Sequence, residues 1–260
     1  MIAVGIWLLT IGFADLVAGL SGEPKPGRRT IAAVLSAFLV PAALSVVFGA
    51  SVGTVVVSSS LGGLSAGGWL ALRRGLPTIS ETRAIVALLY LLAVFGIASL
   101  IAERPFMSFV SFEGPTVGEL ALAALPFEQL RVAQVGQVVF VSGVLVMLFA
   151  TSNAIVRLVL TAMGTRFSNA EQRLRGGRVI GPLERVLIFG LGLAGQATAA
   201  ALVIGAKGLL RYPELNNLRG EQGGAGGTSA RPIDVVTEYL LIGSLTSWLL
   251  ALFPLVLMPS

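Results

Sequence analysis

The sequence predicts an all-α fold, a polytopic bundle of about seven transmembrane helices. About 143 of the 260 residues, or 55%, are apolar, and only 18 basic and 13 acidic residues are present. That charged share is about half of what a soluble domain carries. A spanning helix needs roughly 20 apolar residues, so the apolar residues suffice for about seven spans. Helices are expected because they satisfy their own backbone hydrogen bonds inside a bilayer.

Seven apolar stretches, none with the alternation of a strand, follow one another along the chain. The first lacks a basic segment before its apolar core, so we expect a retained span and not a signal peptide. The second contains Pro41, and the third, rich in Ser and Gly, follows after three residues, so the two should form a helical hairpin. The sixth has no interior proline and is long enough to cross. The predicted spans are residues 2–20, 31–48, 52–72, 84–102, 135–160, 183–208 and 235–258.

Two segments between predicted spans have a distinctive residue composition. Residues 103–134 combine a repeat of phenylalanines with the capping-box spacing of Thr116 and Glu119, which indicates a short amphipathic helix in the membrane interface. A lid over a substrate site is the alternative for this loop. Residues 212–233 contain a run of glycines and are expected to form a flexible linker before the last span.

Two residue types are missing, and their absence disfavours an enzyme. The chain has no Cys and no His. Disulfides, thiolate nucleophiles, serine–histidine catalysis and bis-histidine haem are therefore excluded within this chain. Proton chemistry would have to use Asp, Glu, Tyr or Lys. We expect no cofactor, and we interpret the net charge of +5 as membrane orientation and not as nucleic-acid binding, because the basic residues lie between apolar segments.

The distribution of Lys and Arg predicts an orientation. The odd-numbered loops, with their flanking residues, carry 12 of these residues and the even-numbered loops 6. The positive-inside rule then places the amino terminus outside and the carboxyl terminus in the cytoplasm of a bacterium, with the chain in the inner membrane. If segment six entered the membrane and returned without crossing, the ratio would become 16 to 2 and the carboxyl terminus would lie outside. Trp69, just before Arg73 and Arg74, fits an aromatic belt residue.

Two polar residues lie well inside predicted spans. Asp15 is the only acidic residue there, and a buried charge is costly unless it is paired, neutral or near water. It is either a proton or cation site or a carboxylate paired with Arg28 or Arg29. Gln196, near the middle of span six, is expected to hydrogen-bond to a neighbouring helix, with substrate contact as the alternative.

Charged residues at span ends predict two ion pairs and a basic patch. Lys207 ends span six where Glu238 begins span seven, and Glu184 lies where span six meets Arg157 of span five. Both pairs are interpreted as structural. Inside-positive anchoring explains the basic cluster before span six, and binding of anionic lipid head groups or of a partner is the alternative. The members of this patch are Arg173, Arg175, Arg178 and Arg185.

Small residues mark two candidate helix-packing faces. Gly190, Gly192 and Gly195 match a dinucleotide-binding pattern, but no strand precedes them, so close helix packing is the better interpretation. A second stripe in span three consists of Ser59, Gly63 and Gly67. A pore lined by Thr54, Ser58, Ser59 and Ser60 is the alternative there.

The C-terminal third also carries a resemblance. Its motifs are the run Gly176–Arg185, Ala194-Gly195-Gln196, Ala206-Lys207 with Arg211, and Glu238–Leu245. Over about 80 residues these resemble a family of uncharacterised polytopic bacterial membrane proteins without an assigned activity. The resemblance implies residence in a bacterial membrane and no catalytic role. It singles out Glu184, Arg185, Gln196, Lys207 and Glu238.

These observations favour a structural or accessory subunit of a membrane complex, with the lipid bilayer, anionic lipids and other membrane subunits as candidate partners. The alternative is a small-solute or ion permease or channel that uses Asp15, Gln196 and the third span. An enzyme ranks third, since the spans hold no paired carboxylates. An arginine that seals Asp15 would count against transport.

Overall fold

The computed structural model describes residues 2–19, 28–47, 52–73, 79–103, 135–164, 177–222 and 231–258. The regular elements in these ranges are all helical, which confirms the all-α prediction. The helices are α1 (Ile2–Gly19), α2 (Arg28–Val47), α3 (Val52–Leu72), α4 (Glu81–Glu103), α5 (Val135–Ala150), α6 (Ser152–Ala162), α7 (Gly177–Leu193), α8 (Ala197–Gln222) and α9 (Arg231–Val256). The chain divides into two compact units, residues 1–79 with 86–151, and residues 80–85 with 152–260.

The first four helices are each long and apolar enough to cross a membrane, and they match the first four predicted spans. A fifth candidate is the pair α5 and α6, which is interrupted at Thr151. The described residues therefore contain four or five spans by this measure, and the count of about seven is not reached. Large apolar side chains cover the outer faces, for example Leu39, Leu64 and Leu92, each about two-thirds exposed. Such surface belongs in lipid, which indicates a membrane-spanning protein.

In the first unit, α1 packs against α2, α3 and α5. Its contact with α5 depends on two glycines that let the backbones touch. A Cβ added to Gly5 would lie 2.7 Å from the backbone nitrogen of Phe140, and one added to Gly143 would lie 2.6 Å from the carbonyl oxygen of Gly5. Neither position can hold a larger residue without separating the helices. The small-residue patterns recognised in the sequence lie in other helices and do not include this pair.

The glycines selected from sequence have mixed surroundings. Gly63 lies against the ring of Phe38, and Gly192 against the side chain of Leu255. Ser59 donates its hydroxyl to the carbonyl oxygen of Val55 in its own helix. No other group of the described chain comes within 4 Å of a Cβ built at the remaining three, Gly67, Gly190 and Gly195.

In the second unit, α9 packs against α6 and α7, and α7 packs against α8. Its core contains Ile188 of α7, Ala200 of α8 and Ala251 of α9, all buried. The side chain of Trp248 covers this core from α9.

The prediction of one continuous helix over residues 183–208 is wrong. Helix α7 ends at Leu193 and α8 begins at Ala197. Gly195 has a φ of 72°, a left-handed conformation that favours glycine. The amide of Gly195 donates to the carbonyl of Gly192 at 3.0 Å, and that of Gln196 to the carbonyl of Leu191 at 2.8 Å. These two bonds form the Schellman motif that terminates a helix.

The chain reverses its direction at this turn. Lys207 Nζ of α8 lies 2.5 Å from Glu184 Oε2 of α7. A straight helix would separate two residues 23 positions apart by about 34 Å. Helices α7 and α8 are therefore the antiparallel arms of a helical hairpin, with Ala194-Gly195-Gln196 at its tip.

Two predicted connections also differ from the structure or lie beyond it. Helix α8 continues to Gln222 and α9 begins at Arg231, so most of the predicted linker 212–233 is helical. Only residues 223–230 of that linker lie outside the described ranges. The predicted interfacial loop 103–134 lies outside them too, apart from residue 103.

Candidate functional site

The intramembrane carboxylate predicted from sequence is enclosed by α3. Asp15 on α1 is 3% exposed. Arg73, the residue that follows α3, places Nη2 2.6 Å from Asp15 Oδ1. Trp69 Nε1 lies 3.1 and 3.0 Å from the two carboxylate oxygens and donates its hydrogen to them. Trp69 and Arg73 are four residues apart and so lie on one face of the helix end.

This geometry identifies a partner of Asp15 and corrects one expectation. The carboxylate is paired with Arg73. The side chains of Arg28 and Arg29, the partners considered from sequence, lie outside the described set, so their pairing with Asp15 stays a prediction. Trp69 is fully buried and is not an aromatic belt residue. A carboxylate held by a guanidinium and an indole N–H is compensated within the protein. Asp15 thus ties α1 to α3, and the sealed arrangement removes the main support for a transport site.

The serines of the third span serve packing between helices. Ser58 shares a hydrogen bond of 2.9 Å with Ser45 of α2. Ser65 accepts a hydrogen bond from Trp7 Nε1 at 3.2 Å, and its carbonyl oxygen accepts one from the Tyr90 hydroxyl at 3.0 Å. These contacts join α3 to α2, α1 and α4. Of the residues proposed to line a pore, Ser58 is thus bonded to a neighbouring helix, and Ser59 bonds within its own helix.

The second unit contains a buried cation that the sequence placed on the surface. Arg185 was assigned to the basic patch, but it is 4% exposed. Its Nε donates to Ser247 Oγ at 2.5 Å, and its Nη1 donates to Ser152 Oγ and to Asn153 Oδ1, the latter at 2.9 Å. The guanidinium therefore joins α6, α7 and α9. Arg173, Arg175 and the side chain of Arg178 lie outside the described residues, so the rest of the patch stays a prediction.

The ion pair at the open end of the hairpin combines members of the two predicted pairs. Lys207 contacts Glu184, with side chains 18% and 12% exposed. Lys207 was expected to face Glu238, and Glu184 was expected to face Arg157. Both Glu238 and Arg157 are exposed. The two predicted pairs are thus revised to one pair that joins the arms, because the chain reverses between its members.

The other predicted polar residue, Gln196, is not in the middle of a helix. Its carbonyl oxygen accepts the first hydrogen bond of α8, from the amide of Ala200 at 3.0 Å, so Gln196 caps that helix. The residue is exposed, as are its neighbours from Ala194 to Thr198. The amide and the open backbone of the turn form a polar tip on an otherwise apolar hairpin. We call residues 194–198 the hairpin tip.

The sequence analysis gave Trp69 and Arg73 no link to Asp15, and Ser152, Asn153 and Ser247 no link to Arg185; these residues complete the two buried polar clusters. The described residues hold no cluster of three or more acidic side chains suited to a metal ion. Within the described ranges, the chain thus presents two internally bonded polar clusters and one exposed polar tip. No family model, curated protein or solved structure matches this chain.

Proposed function

We propose that the chain is a structural subunit of a bacterial inner-membrane complex, and that its α7–α8 hairpin enters the membrane and returns to the same face. The observation that carries this proposal is the exposed polar tip at the end of an apolar hairpin. The buried charges support it as well, because Asp15 and Arg185 are both bonded to neighbouring helices and so serve the packing of the chain itself.

The length of the hairpin supports a partial insertion. From Glu184 to Leu193 the first arm covers about 14 Å at the helical rise, roughly half of a 30 Å hydrocarbon core. Neither arm has, in its described residues, the length and hydropathy of a spanning helix; the apolar part of α8 is Ala197–Leu209. With the Lys207–Glu184 pair at the membrane surface, the hairpin tip lies near the midplane.

A polar tip at that depth needs a cover. Backbone that is not helical is tolerated inside a bilayer only where protein or water surrounds it. The hairpin tip is exposed in this chain, and Gln196 brings an amide there. Open space beside Gly190 and Gly205 leaves room for another backbone to approach. A helix of another subunit could cover the hairpin tip and bond to its polar groups. We therefore assign the chain a role as a subunit.

The hairpin also determines the orientation that we propose. Because both arms end at one face, loops five and six lie on the same side, and the ratio of Lys and Arg between the two sides becomes 16 to 2. The crossing segments are then α1 to α4, the interrupted pair α5 and α6, and α9, which we include although its apolar part, Leu241–Val256, is also shorter than a spanning helix. Six crossings put both termini outside, which revises the cytoplasmic carboxyl terminus expected from seven.

A permease is the second candidate, and the hairpin tip is the observation that favours it. In a permease the tip would line an aqueous path, and helix ends at the midplane are common in transporter sites. The pair of Asp15 and Arg73 argues against it, since the one carboxylate predicted inside a span is already bonded within the protein.

Cysteine labelling at the tip tests the subunit role, because the natural chain has no cysteine. We expect Gln196→Cys in native membranes to resist a water-soluble maleimide and to form a disulfide or photo-crosslink with another polypeptide. Leu92→Cys, on the exposed apolar face of α4 and outside the hairpin, serves as the lipid-facing control and should give no crosslink. Fast labelling of the Gln196→Cys variant by the water-soluble maleimide, without a crosslink, would contradict the subunit role and favour a permease.

A further inference from the structure

The guanidinium of Arg185 is only partly used by its protein partners. Of its five N–H groups, one on Nε and two on Nη1 are donated, to Ser247, Ser152 and Asn153. All three acceptors are neutral. Among the described residues no acceptor is paired with Nη2, which has two further hydrogens. A cation this deeply buried has therefore one edge of its planar fork left for another ligand.

The local charge is only partly compensated. The Glu184 carboxylate attracts the Arg185 guanidinium, but its Oε2 also lies 2.5 Å from Lys207 Nζ. One carboxylate is thus shared by two cations, and the three side chains together carry one net positive charge. A buried charge that is not fully paired is costly, and the cost falls when an anion binds against it.

A glycine gives access to this edge. Gly181 lies one turn before Arg185 in α7 and is half-buried. A Cβ added to Gly181 would lie 3.7 Å from Arg185 Nη2 and 3.7 Å from Asn153 Oδ1. A side chain longer than alanine would therefore cover Nη2. The position of the missing side chain, bordered by Gly181, Asn153 and Arg185, is therefore the place where an outside group would reach the guanidinium, and we call it the notch.

We propose that this notch binds a phosphate oxyanion, with Arg185 Nη2 as the donor. The planar fork of Arg matches phosphate oxygens, and such charge-assisted bonds are stronger than neutral ones. The favoured source is a phospholipid head group. If the hairpin tip lies at the midplane, Arg185 stands about 15 Å from it, at the depth where lipid phosphates begin. Basic pockets between helices at this depth bind anionic head groups. Only this choice of source rests on the proposed topology.

The test uses the purified full-length chain in detergent, so that it depends on neither a partner nor orientation. Thermal unfolding is followed by tryptophan fluorescence during titration with short-chain phosphatidylglycerol, with short-chain diacylglycerol and with inorganic phosphate. Phosphatidylglycerol should raise Tm to a plateau, and diacylglycerol should not. A plateau with inorganic phosphate at the same concentrations would retain the oxyanion site and assign it to a soluble ligand.

Variants connect the effect to the notch. Gly181→Leu should weaken phosphatidylglycerol binding roughly tenfold or more, since a hydrogen bond to a charged group is lost. Gly190→Leu is the matched control, because it lies in the same helix with open space beside it, and it should bind like the natural chain. Gly181→Ala, which an ordinary contact accommodates, should weaken binding by a smaller factor and serves if the leucine variant does not fold. Unchanged affinity in both Gly181 variants, or an equal Tm rise with diacylglycerol, would overturn the proposal.

Discussion

Lys207 and Glu184 contact each other at 2.5 Å although 23 positions separate them in an apolar stretch that length alone would make a single span. The contact shows that the chain turns back at Gly195. It changes the surroundings of Gln196, and in the proposed topology it also changes the number of crossings and the side on which loop six lies. The consequences for stability and topology can each be measured.

Gly195 should tolerate no Cβ without cost. Its φ of 72° is unfavourable for any other residue, so Gly195→Ala is expected to destabilise the protein by about 1–2 kcal/mol. Gly190→Ala in the same hairpin is the control, because its position is helical and open, and alanine should be neutral or stabilising there. Denaturant unfolding in detergent gives both values. Equal effects of the two substitutions would contradict the turn.

The pair of Asp15 and Arg73 should behave as a buried ion pair. Asp15→Ala leaves a guanidinium without its carboxylate, and removal of one partner of such a pair costs about 3–5 kcal/mol. Arg73 is 18% exposed at its side chain, so Arg73→Met should cost less. The double variant Asp15→Ala with Arg73→Met should lose less than the sum of the two single losses, since either substitution alone already removes the ion pair. Strictly additive losses in a double-mutant cycle would show that the two residues do not interact.

The contact of α1 with α5 should be sensitive to one side chain. Gly143→Leu forces its Cβ into the carbonyl of Gly5, and overpacking of this kind costs about 1–3 kcal/mol or more. Gly96→Leu on α4 has open space around it and should change stability little. Thermal unfolding of both variants in the same detergent compares them. A stable Gly143→Leu would mean that the two backbones do not touch.

The buried guanidinium of Arg185 should need its neutral acceptors. Ser247→Ala removes the acceptor of Nε and should destabilise by about 1.5–3 kcal/mol, the range for hydrogen bonds to charged groups. Thr246→Ala is the neighbouring control, because its hydroxyl bonds to the carbonyl of Ile242 in its own helix. If Ser247→Ala lowers the free energy of unfolding less than Thr246→Ala does, the hydrogen bond from Arg185 to Ser247 does not stabilise the second unit.

The first four helices could be predicted from the sequence because composition alone determines them. A stretch of about 20 apolar residues that crosses a bilayer has no alternative to a helix. Helix α3, for example, begins and ends at the predicted residues. The all-α class follows from the same argument.

The hairpin is harder to predict, because a glycine inside an apolar stretch can have either of two structural roles. Gly195 can let another helix approach or can end a helix in a left-handed conformation, and only the φ angle distinguishes these roles. With a continuous helix assumed, Lys207 and Glu184 lie on opposite sides of the membrane, and each is matched with another partner.

The buried clusters also required the fold. Ser152, Asn153 and Ser247 are small polar residues far from Arg185 in sequence, and nothing in their local pattern shows that they meet around it. The spacing of Trp69 and Arg73 was a usable signal, since residues four apart share a helix face and both can donate to one carboxylate.

The topology itself can be measured with three single-cysteine variants of the cysteine-free chain: Met163→Cys after α6, Glu238→Cys near the start of α9, and Leu257→Cys at its end. A membrane-impermeant maleimide is applied to spheroplasts and to inverted vesicles. A hairpin that returns to its own side predicts that the variants at positions 163 and 238 are labelled only in inverted vesicles, and the variant at position 257 only in spheroplasts. Labelling of position 238 from outside together with position 257 from the cytoplasm would show that segment six crosses, and would contradict the hairpin topology.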